Sequence, residues 1–413
     1  MRVTGRLVTP DGIVDGLIEV DGDRIAAVEA DETVHNGHYI VPGFVDMHVH
    51  GGGGYTFTTG DPDQARGAAA FHLAHGTTTL LASLVSSPYD LMQSAVKAYA
   101  PLVEEGVLAG VHFEGPYLSE LRCGAQNPKF LRDPSTRELT ELVDAGGGTV
   151  RMVTLAPERP GALDAIDLLV RHGIVAAIGH TDATHEQTVA AIAAGATVGT
   201  HVFNGMRPPH HRQPGPVFAL LAAPSVVCEF VPDGAHLHDA ALAFAISVTG
   251  TDRAALVTDA LSAAGMPDGG YDLGELSVDV VDGVARLAGR DSIAGSTLTM
   301  AGGLRRAVGI GLPLVDACRL AATGPAQPAA PSGRPRGTRS QRMRCSRWSS
   351  RNPSMSPATV SLSQWKPRYT VVTVRTAGGR IRSTSRHACG SHGARSSAST
   401  PYQTSALTRW PEG

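Results

Sequence analysis

Eight short apolar, β-branched runs alternate with helical stretches, ionisable residues stand at the C-terminal ends of most of them, and glycines close the intervening helices. These observations predict an α/β chain built on a (β/α)8 barrel, with a small β part in front of it. Residues 1–40 form that part: "GLIEVDGDRIAAVEA" is two alternating runs around Asp21-Gly22-Asp23, a hairpin signal. The barrel strands follow as "YIVPGFVDMHVH", "TTTLLASLVS", "VLAGVHFEGP", "TVRMVTLAPE", "IVAAIGHTD", "TVGTHVFNGM", "VVCEFVPDGAH" and "AALVTDALS", spread over roughly 220 residues. Between them "DAIDLLVRHG" and "HEQTVAAIAAGA" read as helices that end at glycine. The barrel is assigned to 41–323.

From residue 324 to 413 the pattern stops. "GPAQPAAPSGRPRGTRSQRMRCSRWSSRNPSMSP" is rich in Pro, Ser and Arg and has no period, so it buries no comparable core. Two readings stay open for this segment: a disordered basic arm, or translation in a shifted frame after "LAAT". The net charge of −3 conceals the contrast. The tail carries 15 Lys and Arg against one acid, Glu412, and the first 323 residues carry the other 20 basic and 37 acidic side chains. Nucleic acid is not an expected partner; only the basic-arm reading would give the tail nucleic acid or an acidic partner to bind.

Composition narrows the class further. At 42% hydrophobic and 18% charged residues the 413-residue chain has globular material for a large core. It has no apolar run of about 18 residues, and its N-terminus lacks the apolar centre of a signal peptide. Its five cysteines include no CxxC pair. The expectation is a cytoplasmic protein without membrane contact.

The chemistry concentrates at the strand ends. Strand one ends in His48 and His50, strand three in His112 and Glu114, strand five in His180, and strand six leaves at His201. Strand seven runs into Asp233 and His236, and strand eight into Asp259. In a closed barrel these ends form one ring, and His48 and His50, two residues apart, share a face. Imidazoles and carboxylates gathered there suit a borderline divalent metal, Zn2+ or Fe2+. Any one histidine has a plain structural reading, and His72, His75, His210 and His211 are assigned as structural or solvated. The joint pattern resists it, because buried charges are costly unless paired or metal-bound. Asp259 has two readings: a helix N-cap ahead of "DALSAAG", or a general acid/base beside a metal.

Taken in order, "PGFVDMHVHGGGG", "HFEGPYLS", "NPKF", "GHTDAT", "THVFNGM", "VPDGAH", "VTDA" and "IAGSTLTM" resemble the N-acetylglucosamine-6-phosphate deacetylases of the amidohydrolase superfamily, over residues 1 to about 323. The resemblance implies a TIM barrel of the metal-dependent amidohydrolase type and hydrolysis of an amino-sugar phosphate acetamide, in amino-sugar catabolism and cell-wall sugar recycling. Glu114, His180 and His201 match the family's metal ligands, and Asp259 its proton donor and acceptor. Because His48 and His50 are kept, one or two divalent cations per subunit are implied, with Glu114 bridging. The substrate contacts carried over are Ala125, Gln126, Asn204, Gly205, Arg212, His236 and the run Ile293, Ala294, Gly295 and Ser296, with Arg212 and His236 meeting the phosphate. A homodimer in which a neighbour helps to bind phosphate is also implied.

The sequence departs from the family in two ways. Gln126 stands where some relatives carry a histidine that steadies the acetyl carbonyl. The C-terminal half of the small β-sandwich is missing or altered, which leaves strand edges of residues 1–40 open. Two alternatives are set against the main reading. A cyclic-amide hydrolase of the same superfamily often uses a bridging Lys, yet Lys97 falls in a helix and Lys129 in a loop. The other is an inactive truncated barrel with a basic partner-binding tail.

Overall fold

The computed structural model describes residues 1–21, 24–34, 37–329, 371–377 and 380–386. The small domain opens with β1 (Arg2–Thr9), β2 (Gly12–Asp21) and β3 (Arg24–Ala30), an antiparallel meander, and β4 (His38–Val41) pairs parallel to β1. Leu7, Ile18 and Ile40 form its core. The run "YIVPGFVDMHVH" is two strands rather than one. Pro42 lacks an N–H and Gly43 follows, so β4 stays in the small sheet and β5 (Phe44–Val49) starts the barrel. The glycines after His50 make a tight ribbon of β6 (Gly51–Gly52) and β7 (Tyr55–Thr56), and the buried His72 holds the Gly51 carbonyl at 2.8 Å.

The other barrel strands are β8 (Thr77–Val85), β9 (Gly110–Glu114), β10 (Val150–Leu155), β11 (Val175–Ile178), β12 (Val198–Gly199), β13 (Val227–Phe230) and β14 (Ala254–Leu256). All eight expected strands are present, in sequence order and parallel. Around them lie α1 (Pro62–Ala74), α2 (Tyr89–Glu104), α3 (Thr136–Gly146), α4 (Ala162–Arg171), α5 (His185–Ala194), α6 (Gly215–Ala222), α7 (Asp239–Thr249), α8 (Met300–Gly309) and α9 (Leu314–Cys318). The Thr184–Gln187 capping box starts α5, and Gly195 in left-handed conformation ends it, as the sequence pattern predicts. No helix among the described residues is long and apolar enough to cross a membrane.

Alternation along the strands builds two cores. Val45, Met47, Leu81, Met152, Ala177, Val198, Ala255 and Val257 fill the barrel interior. The opposite faces, with Phe44, Leu80, Leu84, Phe113, Leu155 and Phe230, pack under the helices, each large side chain stabilising by about 1.5–3 kcal/mol. The short helix α10 (Gly324–Ala329), assigned to the tail on composition, packs on the starts of β5 and β14 and so belongs with the barrel.

β14 and β5 share no ladder, and the seam between them is closed by Asp46. Its Oδ2 accepts from the Thr258 hydroxyl at 2.6 Å, and Oδ1 accepts from the Thr258 N–H at 3.2 Å. Just above, the Asp259 N–H donates to the His48 carbonyl at 2.9 Å. Burial pushes the Asp46 carboxyl up to about 7, against the hydrogen bonds from Thr258. Thr258→Val therefore leaves a buried carboxyl short of a donor. We expect the metal-free chain to lose about 1–3 kcal/mol in urea denaturation, and an unchanged midpoint would contradict this account of the seam.

After β14 the chain inserts a three-stranded sheet, β15 (Gly269–Leu273), β16 (Leu276–Val281) and β17 (Val284–Leu287), which the strand pattern did not foretell. Its Leu273, Val278, Val280 and Leu287 pack on Val85, Leu261 and Ala263 at the barrel top. In the C-terminal segment, β18 (Val371–Ala377) and β19 (Arg380–Arg386) form a hairpin, and β18 pairs antiparallel with β4. The edge of β4 that the sequence leaves open is thus covered. The rest of the expected disordered or frame-shifted segment lies outside the described residues.

Candidate metal centre and active site

Every predicted ligand sits at or just beyond a C-terminal strand end. His48 lies within β5 and His50 follows it; Glu114 ends β9; His180, His201 and Asp259 stand two or three residues past β11, β12 and β14. His180, His201 and Asp259 have φ of 45°, 27° and 50°, a left-handed backbone that non-glycine residues seldom adopt. Such strain persists where the surroundings over-determine it, and it concentrates at functional sites. Asp259 caps no helix; its backbone turns back to the run around Ser296.

Two groups of donors emerge, Glu114–His180–His201 and His48–His50–Asp259, all buried. In the first, Glu114 Oε1 lies 3.0 Å from both His180 Nε2 and His201 Nε2, which are 3.1 Å apart. In the second, His48 Nε2 and His50 Nε2 are 3.2 Å apart and lie 3.6 and 3.2 Å from Asp259 Oδ1. Glu114 reaches both groups: its Oε1 is 3.4 Å from His48 Nε2 and its Oε2 is 3.2 Å from His50 Nε2. Donors about 2.0–2.1 Å from a tetrahedral cation stand about 3.3 Å from one another.

Hydrogen bonds on the far side of each ring fix what these atoms present. His180 Nδ1 donates to the Arg122 carbonyl, His201 Nδ1 to the Asn204 carbonyl, His50 Nδ1 to the Ser83 carbonyl and His48 Nδ1 to Glu229 Oε2, at 2.8 to 3.1 Å. Each acceptor demands a proton on Nδ1, so each neutral ring aims a bare Nε2 lone pair inward. Four lone pairs and two carboxylates crowd one buried place, which calls for positive charge. The donor set fits a divalent cation. His112 is the exception. It bonds the hydroxyls of Ser83 and Thr154 at 2.9 and 2.8 Å, and burial together with the neighbouring His48 holds its pKa well below the usual imidazole value.

A cavity of about 300 Å3, at the small end of ligand sites, opens over the ligands and is bordered by His50, Glu114, His180, His201, His236 and Asp259. Of the residues carried over as substrate contacts, Ala125, Gln126, Asn204, Gly205, Ile293 and Gly295 also line it. Gly205 has φ +58°, and a Cβ there would sit 2.7 Å from His180 Nδ1, so the close approach of this loop to the ligand requires glycine. His236 is anchored to Asp233 Oδ2 at 2.7 Å through Nδ1, and its Nε2 lies 3.6 Å from Asp259 Oδ2.

Three of the expected contacts stand elsewhere. Arg212 is exposed on a loop, its guanidinium 2.7 Å from His211 Nε2, and is absent from the cavity wall. Ala294 and Ser296 are buried behind that wall; the Ser296 N–H and hydroxyl bond the carbonyls of Asp259 and Thr258 and so brace the Asp259 turn. Gln126 is also placed for a different task from the one its position implies. Its Oε1 accepts from the Ser86 N–H at 2.7 Å, its Nε2 donates to Glu114 Oε2 at 2.6 Å, and the amide is thereby committed to orienting Glu114.

The sequence missed Gly124, Leu273, Asp291 and Ser292, which complete the cavity, because neither the loop after β9 nor the inserted sheet and the loop that follows it carries a strand-end signal. It also missed Asp46 and Glu229, buried carboxylates in the barrel. Each interrupts an otherwise apolar strand run, and that interruption was the available signal.

Comparison with known proteins agrees with this fold. The Amidohydrolase family model matches residues 39–328. The N-acetylglucosamine-6-phosphate deacetylase of Lysinibacillus sphaericus is 35% identical over 290 residues, covering 69% of this chain and 75% of that protein. The N-acetylgalactosamine-6-phosphate deacetylase of Escherichia coli O157:H7 is 35% identical over 331 residues, covering 78% and 87%. The crystal structure of N-acetyl-D-glucosamine-6-phosphate deacetylase from Mycobacterium smegmatis superposes with a TM-score of 0.77 at 47% identity, covering 80% of this chain and 90% of that one. With these relatives sharing its barrel over most of their own length, the chain belongs to the N-acetylglucosamine-6-phosphate deacetylase family of the amidohydrolases.

Proposed function

We propose that this chain hydrolyses the acetamide of N-acetyl-D-glucosamine 6-phosphate to D-glucosamine 6-phosphate and acetate, with Zn2+ or Fe2+ as its cation. The observation that carries the reading is the Asp259 carboxylate, which faces the cavity within 3.6 Å of His48, His50 and His236 and beside the Glu114 group. A divalent cation held by Glu114, His180 and His201 supplies Lewis acidity toward the amide carbonyl and acidifies water. The protein's own groups do the rest. Asp259 accepts the proton of the attacking water and returns it to the amine nitrogen as the C–N bond breaks. In the metal-free cluster burial opposes its charge, yet the neighbouring His48 and His50 outweigh burial and keep the carboxyl ionised. His236, steadied by Asp233, presents Nε2 at the cavity wall, and Gln126 keeps Glu114 from rotating away. Arg212, exposed and off its own cavity, supports the homodimer reading, in which it serves a neighbouring copy.

The test is acetate release from N-acetylglucosamine 6-phosphate, N-acetylgalactosamine 6-phosphate and unphosphorylated N-acetylglucosamine. A site that holds the phosphate through charged hydrogen bonds, each about 1.5–3 kcal/mol, favours the phosphorylated sugar by about 100-fold or more in kcat/KM. The glucosamine epimer is expected to lead. Acetate released fastest from the galactosamine epimer reassigns the substrate, and release from none of the three defeats the reading.

A further inference from the structure

Glu229 lies in β13 and is fully buried inside the barrel. Neither the strand-end pattern nor the family resemblance gives it a task. Its Oε2 accepts from His48 Nδ1 at 3.1 Å and from the His201 N–H at 3.3 Å. Its Oε1 has no hydrogen-bond partner, and no Lys or Arg pairs with it among the described residues.

The four histidines of the two donor groups differ in what holds them. His50, His180 and His201 rest their Nδ1–H on backbone carbonyls, while His48 alone rests on a carboxylate. A carboxylate behind a ligating imidazole fixes the tautomer and makes the opposite nitrogen a stronger donor. The charge on a buried carboxylate also needs a counter-charge, and the line from Glu229 through the His48 ring leads to the place enclosed by His48 Nε2, His50 Nε2 and Asp259 Oδ1. The same oxygen anchors the backbone of His201, which sits at a left-handed φ of 27°. One atom therefore joins the two donor groups, from strands on different sides of the ring.

We propose that Glu229 is a positioning residue for His48, one that strengthens cation binding at the His48–His50–Asp259 group and ties this group to the His201 ligand. The proposal rests on the reading that the cluster holds divalent cations. The test uses the full chain stripped of metal, as wild type, Glu229→Gln and Glu229→Ala, titrated with Zn2+ against a chromogenic chelator. Thermal unfolding of the metal-free proteins serves as the folding check.

Wild type is expected to bind two ions. Glu229→Ala weakens one of them by about 10–100-fold and leaves the other within about threefold. Glu229→Gln recovers part of the loss, since its carbonyl still accepts the Nδ1–H without the charge. In the Co2+-loaded protein the visible absorption of one ion shifts in the alanine variant. Equal zinc affinities in all three proteins overturn the proposal, and so does a drop in melting temperature with zinc binding unaltered, which marks Glu229 as merely structural. Wild type that binds no zinc is a separate outcome: it removes the cation reading and this proposal with it.

Discussion

Asp259→Asn lowers kcat by about 10³-fold, within the range that general acid–base groups contribute, while the chain keeps a cation at Glu114, His180 and His201. The substitution is close to isosteric, and Asn tolerates the left-handed φ of 50° that Asp259 adopts. The Asp259 backbone is held by the His48 carbonyl and the Ser296 N–H, so the turn survives the change. What disappears is the ability to take a proton from water and give it to the leaving amine. Since both transfers belong to the transition state, kcat falls and KM changes little. Steady-state kinetics alongside metal content check the prediction. Undiminished kcat would remove Asp259 from its role; metal lost from the Glu114 group would make it a structural ligand instead.

Chelation has the other large effect. Stripping the cation lowers turnover by more than about 10³-fold, and adding Zn2+ restores it to wild type but not to Glu114→Ala, which lacks the carboxylate common to both donor groups. The pH dependence of rebinding has a definite sign. In the metal-free site burial opposes charge on the rings, but the Glu114 and Asp259 carboxylates outweigh it, raising His48 and His180 above the usual imidazole value and His50 to about 9. Each Nε2 must shed its proton before it can donate to a cation. Affinity therefore rises with pH toward 9 and falls on acidification, by about one decade or more per pH unit between pH 6 and 8. Equilibrium competition with a chelator at several pH values measures this, and a flat profile would contradict the assignment of these lone pairs.

How much of this could be read without coordinates follows from the range of each interaction. The eight strands, the helix ends at Gly195 and near Gly173, and the ring of Glu114, His180, His201, His48, His50 and Asp259 were all legible. Alternation and capping are local, and an ionisable residue ending an apolar strand is conspicuous. The break at Pro42-Gly43 was missed, because the apolar run continues across it. The sheet around Tyr271 and Val278 escaped notice because its burial depends on Val85, far away in the chain.

The amino-acid sequence by itself determined which groups gather at the barrel mouth, because strand periodicity sets the face and chain order sets the place in the ring. Only the tertiary structure decided what those groups do to one another. It committed Gln126 to Glu114, turned Ser296 into a brace, kept Arg212 off the cavity, and put Glu229 behind His48 across 181 residues of chain. Hydrogen bonds reach about 3 Å, and which side chains come that close is settled by how the strands and inserted loops pack, a property that no local pattern encodes.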